Sequence, residues 1–180
     1  MRIPLVVGNS ISIIAIVLTL YIATALRDFQ NPIRFPILLL CWFSMLYFTH
    51  CISHYIVGRI LGIEFSHYRL SKSMLSKANL PIVSKLFSAK VFLTLIIKKR
   101  KSGSKMFAMF ISGPLASMFS PLVVVAISYG FDKTSAAILL VLTVINATFS
   151  GYYSYRLGCI RKGINSLKNI CDTVNNRAID

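Results

Sequence analysis

Apolar residues in this chain run on in four long stretches, 5–25, 37–61, 106–129 and 135–153, divided by clusters of charged, Pro and Gly positions. A helix crossing a bilayer needs about 20 apolar residues, so each stretch predicts a transmembrane helix. The first carries Asn9 and Ser10 near its start and reads as a packing helix. Pro32 and Pro36 mark a short turn before the second. Beyond it, residues 62–70 alternate weakly and predict a strand at the membrane surface. The apolar run 91–97 would reach only about 10 Å as a helix, so it is expected at the interface, after a break at Pro81. The tail from Arg156 onward is expected to form a polar helix of low amphipathicity. The fold class expected is an all-α integral membrane domain spanning residues 1–180, with four transmembrane helices. A basic cytoplasmic loop at 62–105 can carry a short surface hairpin, and 154–180 forms a cytoplasmic tail.

Composition supports one polytopic membrane domain: 56% of the 180 residues are hydrophobic and only 5 are acidic. The net charge of +15 raises the question of nucleic acid, but the 20 basic residues sort by side of the membrane. With the N-terminus inside, only Arg27, Arg34 and Lys133 fall outside, which places both termini and the large loop in the cytoplasm of a multi-pass cell-membrane protein. Lys98-Lys99-Arg100-Lys101 then reads as a contact for anionic membrane lipids, and nucleic acid is set aside as a partner. Ala23-Thr24-Ala25 offers small residues for a signal peptidase, but the apolar run before it is too long, and an uncleaved helix is expected. Cys41, Cys51, Cys159 and Cys171 lack C-x-x-C spacing and imply no disulfide framework.

The polar residues inside the spans carry the chemical signal. In His50-Cys51-Ile52-Ser53-His54 two imidazoles share one helix face about 6 Å apart along the axis. This is the frame of a zinc-binding H-E-x-x-H helix, with Cys where the Glu belongs. The bland alternative is two neutral histidines hydrogen-bonded across helices to Asn146 or Ser117. The third stretch holds Ser112-Gly113-Pro114-Leu115-Ala116-Ser117, where proline bends a helix and small residues let a neighbour approach.

Together, the His50 segment running on to Gly58-Arg59-Ile60-Leu61-Gly62-Ile63, the Gly113-Pro114-Leu115-Ala116 stretch and Asn146 resemble the site-2-type intramembrane zinc metalloproteases over roughly residues 37–155. The resemblance implies zinc on His50 and His54, a general base at position 51 and a third ligand at position 154. Here those last two positions are Cys51 and Ser154, so both catalytic carboxylates are missing. A hydrolytic zinc needs three protein ligands, an open position and a base for its water. Glu64 lies ten residues beyond His54, and the other acids fall in external loops or the tail.

The expected function is therefore that of a degenerate, non-proteolytic relative: a binding or assembly subunit that holds another membrane protein or transmembrane segment in a groove shaped by Gly113, Pro114 and Asn146. Two alternatives stand beside it. One is an active zinc protease with an unusual ligand set, His50, His54 and His67. The other is a purely structural subunit of a larger membrane complex. No catalytic residue is assigned, and the cofactor is either none or zinc. Haem fits poorly, since both histidines lie on one helix. A transporter ranks last, without acidic intramembrane residues or inverted repeats.

Overall fold

In a computed structural model, residues 2–29, 32–71, 92–99 and 103–177 are described. The chain is mostly helical. A two-residue strand β1 (Arg2–Ile3) leads into α1 (Leu5–Ala25), closed by a short 3-10 turn at Leu26–Asp28, and α2 is Arg34–Ile60. Two strands follow, β2 (Glu64–Ser71) and β3 (Phe92–Lys99). The remaining helices are α3 (Gly103–Phe119), α4 (Pro121–Tyr129), α5 (Lys133–Arg156) and α6 (Cys159–Arg177). Four helical segments are long and apolar enough to cross a membrane: Leu5–Asp28, Arg34–Ile60, Gly103–Tyr129 and Lys133–Lys168. The first three coincide with the stretches expected from the sequence to within a few residues, and the fourth starts two residues earlier and runs on into α6, well past the expected end at 153.

The helices put small or hydroxylated residues inward and bulky apolar ones outward. Gly8, Ser12, Thr19 and Ala23 are the buried residues of α1, while Val6, Ile14, Val17 and Tyr21 are each more than half exposed. Small residues let backbones approach, and the hydroxyls find partners: Thr19 Oγ1 donates to Ser44 Oγ of α2 at 2.7 Å. Against α1 and α2, the start of α5 and the α4 helix fill one end of the bundle around Leu38, Trp42, Val124 and Leu139.

The third span is broken, but not at the bend expected from Pro114. Pro114 lies inside a continuous α3, and the interruption comes at Ser120, where Pro121 opens α4 as its first residue. Ser120 is stitched to α2 through a 2.8 Å contact between its Oγ and that of Thr49. At its other end α2 stops in a paired backbone closure: Gly62 N–H donates to Arg59 O at 3.0 Å and Ile63 N–H to Gly58 O at 2.8 Å. Gly62 has φ +73, a left-handed conformation that favours glycine there.

The surface strands form more sheet than a single hairpin. β2 is central, with β1 on one side and β3 on the other, all antiparallel, in the order β1-β2-β3. Tyr68 faces Leu95 and also Ile3, and its hydroxyl donates to Asn9 Oδ1 of α1 at 2.7 Å. The run 91–97, expected as a short interfacial segment, mostly lies in β3. Thr94, Ile96 and Ile97 are β-branched, and pairing with β2 satisfies backbone groups that an isolated short helix leaves open. Pro81, Arg100 and Lys101 lie outside the described residues.

The tail also departs from expectation. Ile160, Gly163, Ile164 and Leu167 of α6 are buried or half-buried at helical spacing, whereas Arg161, Lys162, Asn165 and Lys168 are exposed. The helix is therefore amphipathic and packs on α3. Gly163 sits against Phe107 and Phe110, where a Cβ would come within 3.0 Å of the Phe107 ring.

Candidate functional site

Away from the Trp42 core, and reaching back along α2 to Phe43, the bundle holds a partly open cavity of about 810 Å³. Its walls come from α2 (His50, His54), β3 (Leu93 through Ile97), α3 (Pro114, Ser117) and the end of α5 with the start of α6 (Asn146, Cys159). Lys162 is its one charged lining residue among the described residues, and no carboxylate lines it.

The two histidines approach each other as the four-residue spacing requires, with ring centroids 4.8 Å apart and planes nearly perpendicular. His54 is buried against α3, its Nδ1 2.6 Å from the Met109 carbonyl. Gly113 makes this possible, because any Cβ there would collide with His54 Nε2. His50 is half-buried, with Nδ1 3.3 Å from Ser117 Oγ. Asn146 does not reach the histidines by any hydrogen bond seen here. Its Nδ2 donates to the Ser117 carbonyl at 3.4 Å and its Oδ1 accepts from Ser150 at 3.2 Å. Pro114 and Asn146 line the cavity as wall, and Gly113 is buried behind His54.

The two positions at which a hydrolytic site would carry carboxylates serve other purposes. Cys51 is buried and directs its thiol to the Leu93 carbonyl of β3 at 3.3 Å, tying the sheet to α2. Ser154 Oγ accepts from the Ile160 N–H at 3.3 Å, satisfying one of the open donors in the first turn of α6. Of the acids, Glu64 begins β2 opposite Lys99 and is exposed. Asp132 caps α5 at the other end of the bundle, accepting from the Ser135 N–H at 3.0 Å.

Zinc as the resemblance maps it therefore does not fit. The residue at 154 is engaged as a helix cap, the residue at 51 is a thiol turned to the sheet, and among the described residues no carboxylate lines the cavity to act as base. His67, the alternative third ligand, is not brought to the pair: it lies on β2 with Nδ1 2.9 Å from its neighbour Ser66. The residue that does join the histidines is Cys159, from the segment expected as a cytoplasmic tail. Ligand atoms of His50, His54 and Cys159 all lie within 4.8 Å of one another, with Cys159 Sγ 4.0 Å from His50 Nε2. Only the fold brings Cys159 there, since 109 residues separate it from His50.

The chain matches no protein-family model, no curated protein and no solved structure.

Proposed function

We propose that this is a multi-pass cell-membrane protein, with both termini cytoplasmic, that retains a segment of another membrane protein in its cavity without cleaving it, as a degenerate relative of the site-2-type metalloproteases. The outward apolar faces of α1 and the basic residues gathered at one end of the bundle, Arg2, Arg59, Lys105 and Arg156 against Arg27, Arg34 and Lys133 at the other, favour the membrane setting and the orientation.

The observation that carries the reading is the cavity itself: about 810 Å³, mostly apolar in its walls and without a lining carboxylate. A helical turn about 10 Å across and 5.4 Å long occupies roughly 420 Å³, so the space suits about two turns of a helix or a comparable extended stretch. β3 runs along one wall, tied to α2 by the Cys51 bond to the Leu93 carbonyl. Hydrolysis would require a base for a bound water, and none of the lining residues is a carboxylate.

A photoreactive residue at Phe43, on the cavity wall, tests the reading against the same residue at Val17 on the outer face of α1. One discrete membrane-protein adduct is expected from position 43 alone, and Leu157→Trp, which pushes an indole into the cavity, should suppress it. Lipid adducts alone from both positions, or cleavage of the captured protein on reconstitution with zinc, would overturn it.

A further inference from the structure

We infer that His50, His54 and Cys159 form a three-ligand site for a thiophilic metal ion of the zinc(II) class, distinct in ligand set from the hydrolytic centre that the sequence resembles. The site does not depend on what occupies the cavity.

The hydrogen bonds around the histidines fix where their lone pairs point. A carbonyl oxygen can only accept, so the 2.6 Å contact with Met109 O puts a proton on His54 Nδ1 and leaves Nε2 bare. With Ser117 Oγ donating to Pro114 O at 2.9 Å, its lone pair is placed to accept from His50 Nδ1 at 3.3 Å. His50 Nε2 is bare in turn, and it is the atom that faces Cys159 Sγ at 4.0 Å. Both rings thus have the arrangement usual for metal-bound histidine, one nitrogen donating to a fixed oxygen acceptor and the other left for the ion.

Size and chemistry agree. Zinc bonds of about 2.0–2.1 Å to nitrogen and 2.3 Å to sulfur give tetrahedral ligand separations of about 3.3–3.5 Å. A triangle whose edges stay within 4.8 Å reaches that geometry by closing about an ångström. Two neutral imidazoles and a thiolate make a borderline-soft set suited to zinc, unlike the all-oxygen sets of magnesium or calcium. The cavity lies on the remaining side and leaves a fourth position open. Since the histidines sit on α2 and the cysteine on the first turn of α6, with α3 packed against both helices, the ion would lock the amphipathic α6 across the cavity rim.

The test is metal content and the spectrum of full-length protein purified in detergent, loaded with Zn²⁺ or Co²⁺ and desalted. About one ion per chain is expected, with a thiolate-to-cobalt charge-transfer band in the near ultraviolet. Cys159→Ser should abolish the band and lower retained zinc about tenfold or more, while Cys51→Ser keeps both. Cys159→His should retain zinc and lose the band, which separates ligand loss from misfolding. Absence of metal from the wild type, or a band that survives Cys159→Ser and disappears in Cys51→Ser, would overturn the assignment. These readouts need no partner protein, so they stand or fall apart from the capture of a membrane segment.

Discussion

The two ends of the same helices are built on opposite principles. Around Trp42, α2 presents Leu38, Cys41, Trp42 and Met45 to a filled core in which the one polar request, the indole N–H, is met by Thr143 Oγ1 at 2.8 Å. Two to three turns further along, α2 presents His50 and His54 to a cavity of about 810 Å³. Space and underused polar atoms are both costly inside a bundle, where association rests on close packing. An end that keeps both is what the proposed binding role asks for, and an end that keeps neither is built for packing.

The largest effect expected separates those two principles directly. Trp42→Ala removes a 4% exposed side chain from the filled end, together with the indole N–H that Thr143 Oγ1 accepts, although that hydroxyl keeps its own bond to Leu139 O at 2.7 Å. It should cost about 3 kcal/mol, the low end for such truncations, because in lipid mainly packing is lost. His50→Ala should cost about 1 kcal/mol or less, since Ser117 keeps its bond to Pro114 O and the ring already borders empty space. Denaturation of both variants in mixed micelles by SDS titration gives the numbers. Equal losses would mean that the cavity end is a stability core like the other.

A smaller effect tests whether the histidine pair is held in place or merely accommodated. Gly113→Ala drives a methyl group into the His54 ring and should cost about 2 kcal/mol, displacing that ring from the Met109 carbonyl. Gly151→Ala is the matched control on α5: its Cβ would meet only Met118 Cε, at 3.5 Å, and helix propensity makes the change neutral or favourable by up to about 1 kcal/mol. The same SDS titration reads both. If the two glycines behave alike, the seat of His54 is soft.

Much of the filled end was legible in the sequence, because four apolar runs of spanning length announce helices wherever they occur. The strand expected over 62–70 is present from Glu64 onward, but the left-handed turn at Gly62 that precedes it did not show in the alternation. The features missed share a cause: each depends on a neighbour distant in the chain or on a side chain that is absent. Uniform apolarity hid the break at Ser120, although Pro121 carried the signal. β3 acquires its identity from pairing with β2. The inner face of α6 is built on Gly163, which packs by lacking a side chain and so does not register as apolar. Cys159 looked like an isolated thiol in a polar tail, and no spacing rule links it to His50. Missing carboxylates at positions 51 and 154 could be read directly, but the cap and the strand tie that Ser154 and Cys51 make instead could not.

The smallest effect sits on the filled side and concerns how that end is secured. Asp132 caps α5, accepting from the Ser135 N–H at 3.0 Å and from the Ser135 hydroxyl at 2.7 Å. These two bonds favour the carboxylate and hold its pKa below the ordinary value of 3.8, with Arg34 adding a lesser push in the same direction. A carboxyl group depressed in the folded state stabilises fully above its unfolded value near 4 and loses that contribution as pH falls through the lower folded value. Asp132→Ala should therefore cost about 0.5–1 kcal/mol at neutral pH, in the lower part of the range for caps because the group is largely solvated. The difference from wild type should shrink as the pH is lowered below about 4. If Asp132→Ala keeps its full deficit at pH 2, the cap acts through packing or loop geometry, and its charge is irrelevant to how this end is closed.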